Sequence, residues 1–132
     1  EAYPNLFVIS DPDEATWLGW FAQADNYDGY LRWAYNSWTL DPMADARFRT
    51  WPAGDCFVVY PGGRGSVHLA KLTEGIQDFE KVRILRNQWR KAGDEAKLDQ
   101  LAEILKSFTS EKVLEEGPTK ALTAAKSFLD RQ

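Results

Sequence analysis

The chain has 132 residues, 44% of them hydrophobic, with 16 Lys plus Arg against 20 Asp plus Glu and a net charge of −4. That balance gives no broad electrostatic attraction for nucleic acid, and no 18-residue apolar run marks a membrane span. One cysteine, Cys56, and one histidine, His68, make no disulfide and no metal-ligand spacing, so neither a metal nor another cofactor is expected.

In chain order, Leu6 to Ile9 form a short apolar run, and DPDEATWLGWFAQA follows it. Asp11 suits an N-cap, Pro12 the first helical position and Glu14 the third, which predicts a helix from about Pro12 to Ala24. Trp17, Leu18 and Phe21 recur at helical spacing and are core candidates. DNYDG ends this helix, and Tyr30 to Tyr35 reads as a strand because aromatic residues dominate it. Alternation puts Leu31, Trp33 and Tyr35 on one face and Arg32, Ala34 and Asn36 on the other. The polar set is expected to face inward, and Trp33 to be structural.

Thr39 to Asp55 lacks periodicity and contains two Pro-bearing stretches, so it reads as a long loop. A short helix is expected near Met43 to Phe48, and Trp51 either leans over a site or staples the loop. Asp55 to Tyr60 contains the apolar run of a buried parallel strand, stopped by PGGRG. From Ser66, a plausible N-cap, Leu69, Leu72, Ile76, Phe79, Val82, Leu85 and Trp89 trace an amphipathic helix to about Lys91, ended by Gly93. Gly75 inside it points to close packing against a neighbour. Further helices are predicted from about Glu95 to Phe108 and after Gly117-Pro118.

Three pieces, GYLRWAYNSW, WPAGDCFVVYPGGR and GIQDFEKVRIL, stand in this order and spacing. Together they resemble the C-terminal part of the catalytic domain of glycoside hydrolase family 123, with a weaker likeness from about Leu6 to Leu85. The resemblance implies an α/β fold, a (β/α)8 barrel acting on β-linked N-acetylgalactosaminides or related glycans. A whole barrel of this kind takes about 250 residues. Residues 1–92 would therefore be its last strands and closing helix, and residues 93–132 a helical extension packed on them. Taken alone, such a chain would be mostly helical, and its exposed strand edges would favour the rest of the barrel or a second copy as partner.

Active sites of such barrels lie at the C-terminal ends of the strands. That places Tyr35, Asn36 and Trp38 beside Tyr60 and Arg64, with Arg32 pointing into the lumen. Flat aromatic faces with forked polar groups suit a sugar, so these six residues are the candidate glycan-binding set. The resemblance also implies substrate-assisted hydrolysis, in which an adjacent Asp–Glu pair closes a central strand. The two such pairs here, Asp13-Glu14 and Asp94-Glu95, open helices, so no catalytic residue is expected in this chain. His68 stands where relatives tend to carry Arg, and Ala70 where they tend to carry Glu, which removes an ion pair the family could make there. Two rival readings are a non-catalytic carbohydrate-binding module and a helical protein-interaction domain built from Ser66 to Gln132. Sequence leaves the compartment open; an exported parent enzyme fits the resemblance.

Overall fold

A computed structural model describes residues 4–47 and 51–132. Its elements, in order, are α1 (Asp13–Ala24), β1 (Val59–Tyr60), β2 (Arg64–Gly65), α2 (Val67–Ala92), α3 (Glu95–Leu105), α4 (Ser110–Glu116) and α5 (Pro118–Leu129). Helix α1 is the hub, because α2, α3 and α5 all pack on it.

The start of α1 is locked by a reciprocal pair of bonds. Asp13 N–H donates to Asp11 Oδ1 at 2.9 Å, while Asp11 N–H donates to Glu14 Oε1 at 3.1 Å. Glu14 Oε2 takes a further bond from Asn5 N–H at 2.7 Å, so this carboxylate is only 3% exposed. At the other end Asn26 adopts a left-handed φ of 58°, a conformation Asn tolerates, and Tyr27 N–H returns to Ala22 O at 2.8 Å.

Helix α1 carries two seams. Trp17 and Trp20 enter the main core with Val82 and Trp89 of α2, Leu101 of α3, Phe108, Val113 of α4, and Leu122 and Phe128 of α5. Trp20 stacks on Phe108 at 5.3 Å. The second seam is small and polar: Thr16 Oγ1 donates to Lys71 O, Gln23 Nε2 to Phe79 O, both at 2.9 Å, and Trp20 Nε1 to Asp78 Oδ2 at 3.0 Å. Between them the backbones of Gly19 and Gly75 touch. A Cβ on Gly19 would lie 2.1 Å from Gly75 O, and one on Gly75 2.7 Å from Thr16 O. The close approach expected at Gly75 is thus a helix crossing that only paired glycines allow.

Helix α2 follows the sequence reading closely. Ser66 Oγ accepts from Leu69 N–H at 3.0 Å, and Gly93 caps the far end at a φ of 66°. Ile76, on the predicted apolar stripe, is exposed. The helix expected to reach Phe108 ends instead at Leu105, where the chain turns so that Phe108 drops into the core. Thr109 then caps α4 through Lys112 N–H, a short helix that the sequence reading does not predict.

The sheet differs most from expectation. Tyr30 to Tyr35 forms no strand: among the described residues its one backbone bond is from Val58 N–H to Tyr35 O, and just beyond it Ser37 N–H donates to Cys56 O, both at 3.0 Å. The resulting bridge between Asn36 and Phe57 is antiparallel, so the parallel pairing inferred from the apolar run is also corrected. That run is apolar because Val58 packs with Leu6, with Ala15 and Leu18 of α1 and with Leu69 and Leu72 of α2, and Cys56 and Phe57 are buried beside it, not because a ladder covers it. Among the described residues the sheet is a hairpin, with Val59 opposite Gly65 and Tyr60 opposite Arg64. Gly62 and Gly63, at φ values of 76° and 72°, make its turn. Residues Asp41 to Asp45 form one turn rather than a helix; Phe48 lies outside the described residues.

Ion pairs tie α5 to α2 and α2 to α1. Lys126 Nζ sits 2.6 Å from Glu74 Oε1 and 2.8 Å from Asp78 Oδ2, while Lys71 Nζ reaches Asp13 Oδ1 at 3.1 Å and Glu74 Oε2 at 3.3 Å. The bond from Lys126 outweighs burial and holds the Glu74 carboxyl below its ordinary 4.5. Burial pulls Lys126 down, but its bonds to Asp78 and Glu74 win and raise it above 10.5. A depressed carboxyl stabilises the fold above its unfolded pKa, and the contribution is lost as pH falls below 4.5. A raised amine stabilises below its unfolded pKa, and that share is lost as pH rises beyond 10.5. Thermal unfolding across pH should therefore show Lys126→Met costing about 1 kcal/mol or less near neutrality, after solvent screening. Its difference from the unaltered protein should shrink at both extremes; a pH-independent difference would mean that packing of the stem, not charge, is what Lys126 supplies.

Candidate substrate-binding site

The candidate residues lie where the extended segment 35–38 crosses the hairpin β1–β2. The crossing is pinned by Trp38, whose Nε1–H donates to Val59 O at 2.7 Å and which as a residue remains 39% exposed. Its indole is thus oriented by its polar edge while the residue stays partly open to solvent. Tyr35 and Asn36 are exposed beside the bridge to Phe57. On the hairpin, Tyr60 packs edge-on against Phe57 with ring centroids 5.3 Å apart, and Arg64 is its exposed cross-strand partner.

The hairpin is anchored from below. Ser66 Oγ donates to Val58 O at 2.6 Å while it caps α2, so a single hydroxyl joins the hairpin to the long helix. Cys56, buried in this layer, has its thiol pushed up by burial, which makes it a packing group and not a nucleophile.

Arg32 departs from the open geometry of the others. Its guanidinium donates to Gly54 O at 2.9 Å and also to Asp55 O, fastening the 30s segment to the approach of β1. The predicted alternation holds for Arg32 and Ala34, which are half-buried, against Leu31, Trp33 and Tyr35, which are exposed, but it fails at Asn36, expected to face inward and exposed instead. Trp51 packs on Trp33 at 5.3 Å, the stapling role of its two alternatives.

Beside Tyr60 the chain forms a cleft of about 390 Å³ lined by Leu6, Val8, Phe57, Val67 and His68. His68 Nε2 lies 3.2 Å from Ser10 O, so the histidine ties α2 to the N-terminal segment. Sequence reasoning did not assign this cleft, because its wall at Leu6 and Val8 is distant in the chain; the apolar run there was the available signal. No group of three or more His, Cys, Asp or Glu side chains able to hold a metal occurs among the described residues.

The model of the glycoside hydrolase 123 catalytic domain matches residues 1–85, which include every candidate above. This chain belongs to that family. Among solved structures it is similar to a family 123 glycoside hydrolase from Clostridium perfringens, with a TM-score of 0.69 and 22% identity over 97% of this chain. The chain spans 27% of the length of that protein, and at this identity the likeness establishes fold only. No curated protein matches.

Within this family 123 chain, three of the four carboxyls in the adjacent Asp–Glu pairs are engaged in structure, and the fourth, Glu95, is exposed in the first turn of α3. Glu14 is buried under two backbone N–H groups, Asp13 pairs with Lys71 and accepts from Thr119 Oγ1 at 3.0 Å, and Asp94 Oδ1 caps α3 through Lys97 N–H at 3.1 Å. Neither pair presents two carboxyls to an open surface.

Proposed function

We propose that this chain is the closing portion of a (β/α)8 catalytic domain that hydrolyses β-linked N-acetylhexosaminides, N-acetylgalactosaminides above all. In this reading residues 1–92 complete the barrel and residues 93–132 buttress it. Trp38 and Tyr60 offer rings to the sugar's C–H faces, while Asn36, Arg64 and the Tyr35 hydroxyl meet its oxygens. Arg32 holds that wall in place through Gly54 and Asp55. The reaction is substrate-assisted: the acetamido oxygen attacks the anomeric carbon as a glutamic acid protonates the leaving oxygen, and an adjacent aspartate orients the acetamido group. Those two acids come from the remainder of the catalytic domain.

The observation that carries the proposal is the catalytic-domain match over residues 1–85, joined to the position of both Asp–Glu pairs at helix starts. The Clostridium perfringens protein is described in terms of glycolipid glycan hydrolysis, which agrees with a glycan substrate.

The test compares the protein at its natural length with residues 1–132 alone on a chromogenic β-N-acetylgalactosaminide. The long form should turn over and the short form should not. In the long form Asp13→Asn with Glu14→Gln should keep turnover within about threefold, under 1 kcal/mol of barrier. Turnover by residues 1–132, or its collapse in the double variant with the fold intact, would place the acid here and defeat the proposal. Sugar binding by the short form without any activity in the long one would favour a carbohydrate-binding module instead.

A further inference from the structure

A second cleft, of about 490 Å³, lies away from the hairpin between the C-terminal end of α1, the outer half of α2, and α3 with the residues that follow it. Its apolar wall comes from Leu98, Leu101, Leu105 and Phe108, and Arg86 and Arg90 line it from α2. These arginines are one helical turn apart, a spacing at which like charges repel. Arg86 is half-buried, yet neither guanidinium has a hydrogen bond or ion pair among the described residues. Lys71, Arg83, Lys106, Lys120 and Lys126 have carboxylate partners; Arg64, Lys91 and Arg90 have none among the described residues but are exposed, whereas Arg86 is partly withdrawn from solvent.

A partly desolvated cation without an acceptor is costly, and a chain with excess acid could have supplied one. Burial, followed by the Arg90 charge, holds the Arg86 guanidinium below its ordinary value. Asp25 also lines the cleft but makes no ion pair with either arginine. It is exposed, so solvent screens its repulsion of an incoming anion.

We propose that this cleft binds a small organic carboxylate, its anionic head between Arg86 and Arg90 and its apolar body against Leu98 and Leu105. Guanidinium forks match carboxylate geometry, and the leucines supply the apolar contact that a bare inorganic anion could not use. The site is independent of the sugar wall and stands whether or not that assignment does.

The experiment is a thermal-shift titration of the protein at its natural length with hexanoate, hexan-1-ol and inorganic phosphate, repeated on Arg86→Gln, Arg90→Gln and Arg86→Lys. Saturating hexanoate should raise the melting temperature of the unaltered protein by about 2–4 °C, with hexan-1-ol inert and phosphate weaker by about tenfold or more. Arg86→Gln and Arg90→Gln should lose that response, and Arg86→Lys should retain part of it. Without ligand, Arg86→Gln should melt no lower than the unaltered protein, because it removes an unpaired charge. Three results would overturn the proposal. One is a hexanoate response unchanged in both glutamine variants, or absent altogether. The second is phosphate binding as tightly as hexanoate. The third is a ligand-free fall in the melting temperature of Arg86→Gln, which would show that an acid of the protein itself occupies the cleft.

Discussion

Gly19→Ala should destabilise the protein by about 3 kcal/mol or more, the upper end of what overpacking costs. The added methyl would meet the Gly75 carbonyl at 2.1 Å, and a backbone oxygen inside a long helix has no rotamer to escape into. The helices would have to separate, and that would stretch the bonds from Thr16 to Lys71 and from Gln23 to Phe79. Those two groups are buried, so the loss is the desolvation cost of each as well as the bond itself. Gly75→Ala meets Thr16 O at 2.7 Å and should cost somewhat less. Since both changes open the same crossing, the double variant should cost clearly less than the sum. Gly29 is the control: nothing lies within 4 Å of a Cβ there, and alanine should change stability by no more than about 1 kcal/mol, in the stabilising direction. Denaturant unfolding of the three single variants and the double reads all of this. A small effect at Gly19 would mean that the crossing is not what sets the α1–α2 distance.

The parts of the fold that were legible in the sequence are those specified locally. Ser66 and Gly93 bracket α2 because a cap hydroxyl and a left-handed glycine act within a few residues of their own position. Asp11 and Glu14 marked the start of α1 for the same reason. Gly75 announced a close contact, but its partner Gly19 was silent, because a crossing is a property of two helices 56 positions apart.

The hairpin and the 30s segment were misread for the opposite reason. Phe57, Val58 and Val59 are as apolar as a central strand, yet an apolar run reads the same whether it lies within a sheet or only packs on helices, as Val58 does on α1 and α2. Pro61-Gly62-Gly63 held the corrective signal, because two successive glycines suit the positive φ values of a tight hairpin turn. The candidate site was legible as chemistry, in the aromatic and forked polar residues of GYLRWAYNSW, but not as geometry. Nothing local says that Arg32 turns to Gly54 and Asp55, or that the Trp38 indole is tethered to Val59. The unpaired arginines were invisible altogether, since a missing partner appears only once every neighbour is in place.

Trp38→Ala should raise KM for a β-N-acetylgalactosaminide by about tenfold, 1.4 kcal/mol of lost ring contact, if the sugar-wall assignment is right. A smaller drop in kcat should accompany it, because a sugar that is less well held reaches the anomeric geometry less often. The indole tethers the segment through Nε1–H to Val59 O at 2.7 Å, and two variants separate that tether from the proposed contact of its ring with sugar. Trp38→Phe keeps a ring but loses the tether, so it should recover binding only in part. A variant in the apolar layer beneath, Val58→Ala, should cost about 1–3 kcal/mol of stability while leaving KM near that of the unaltered protein. Kinetics of the protein at its natural length, read alongside its melting temperature, distinguish the outcomes. Should Trp38→Ala lower the melting temperature by several degrees and leave KM unmoved, the indole is a strut for the hairpin. The sugar must then be held by other residues of the catalytic domain.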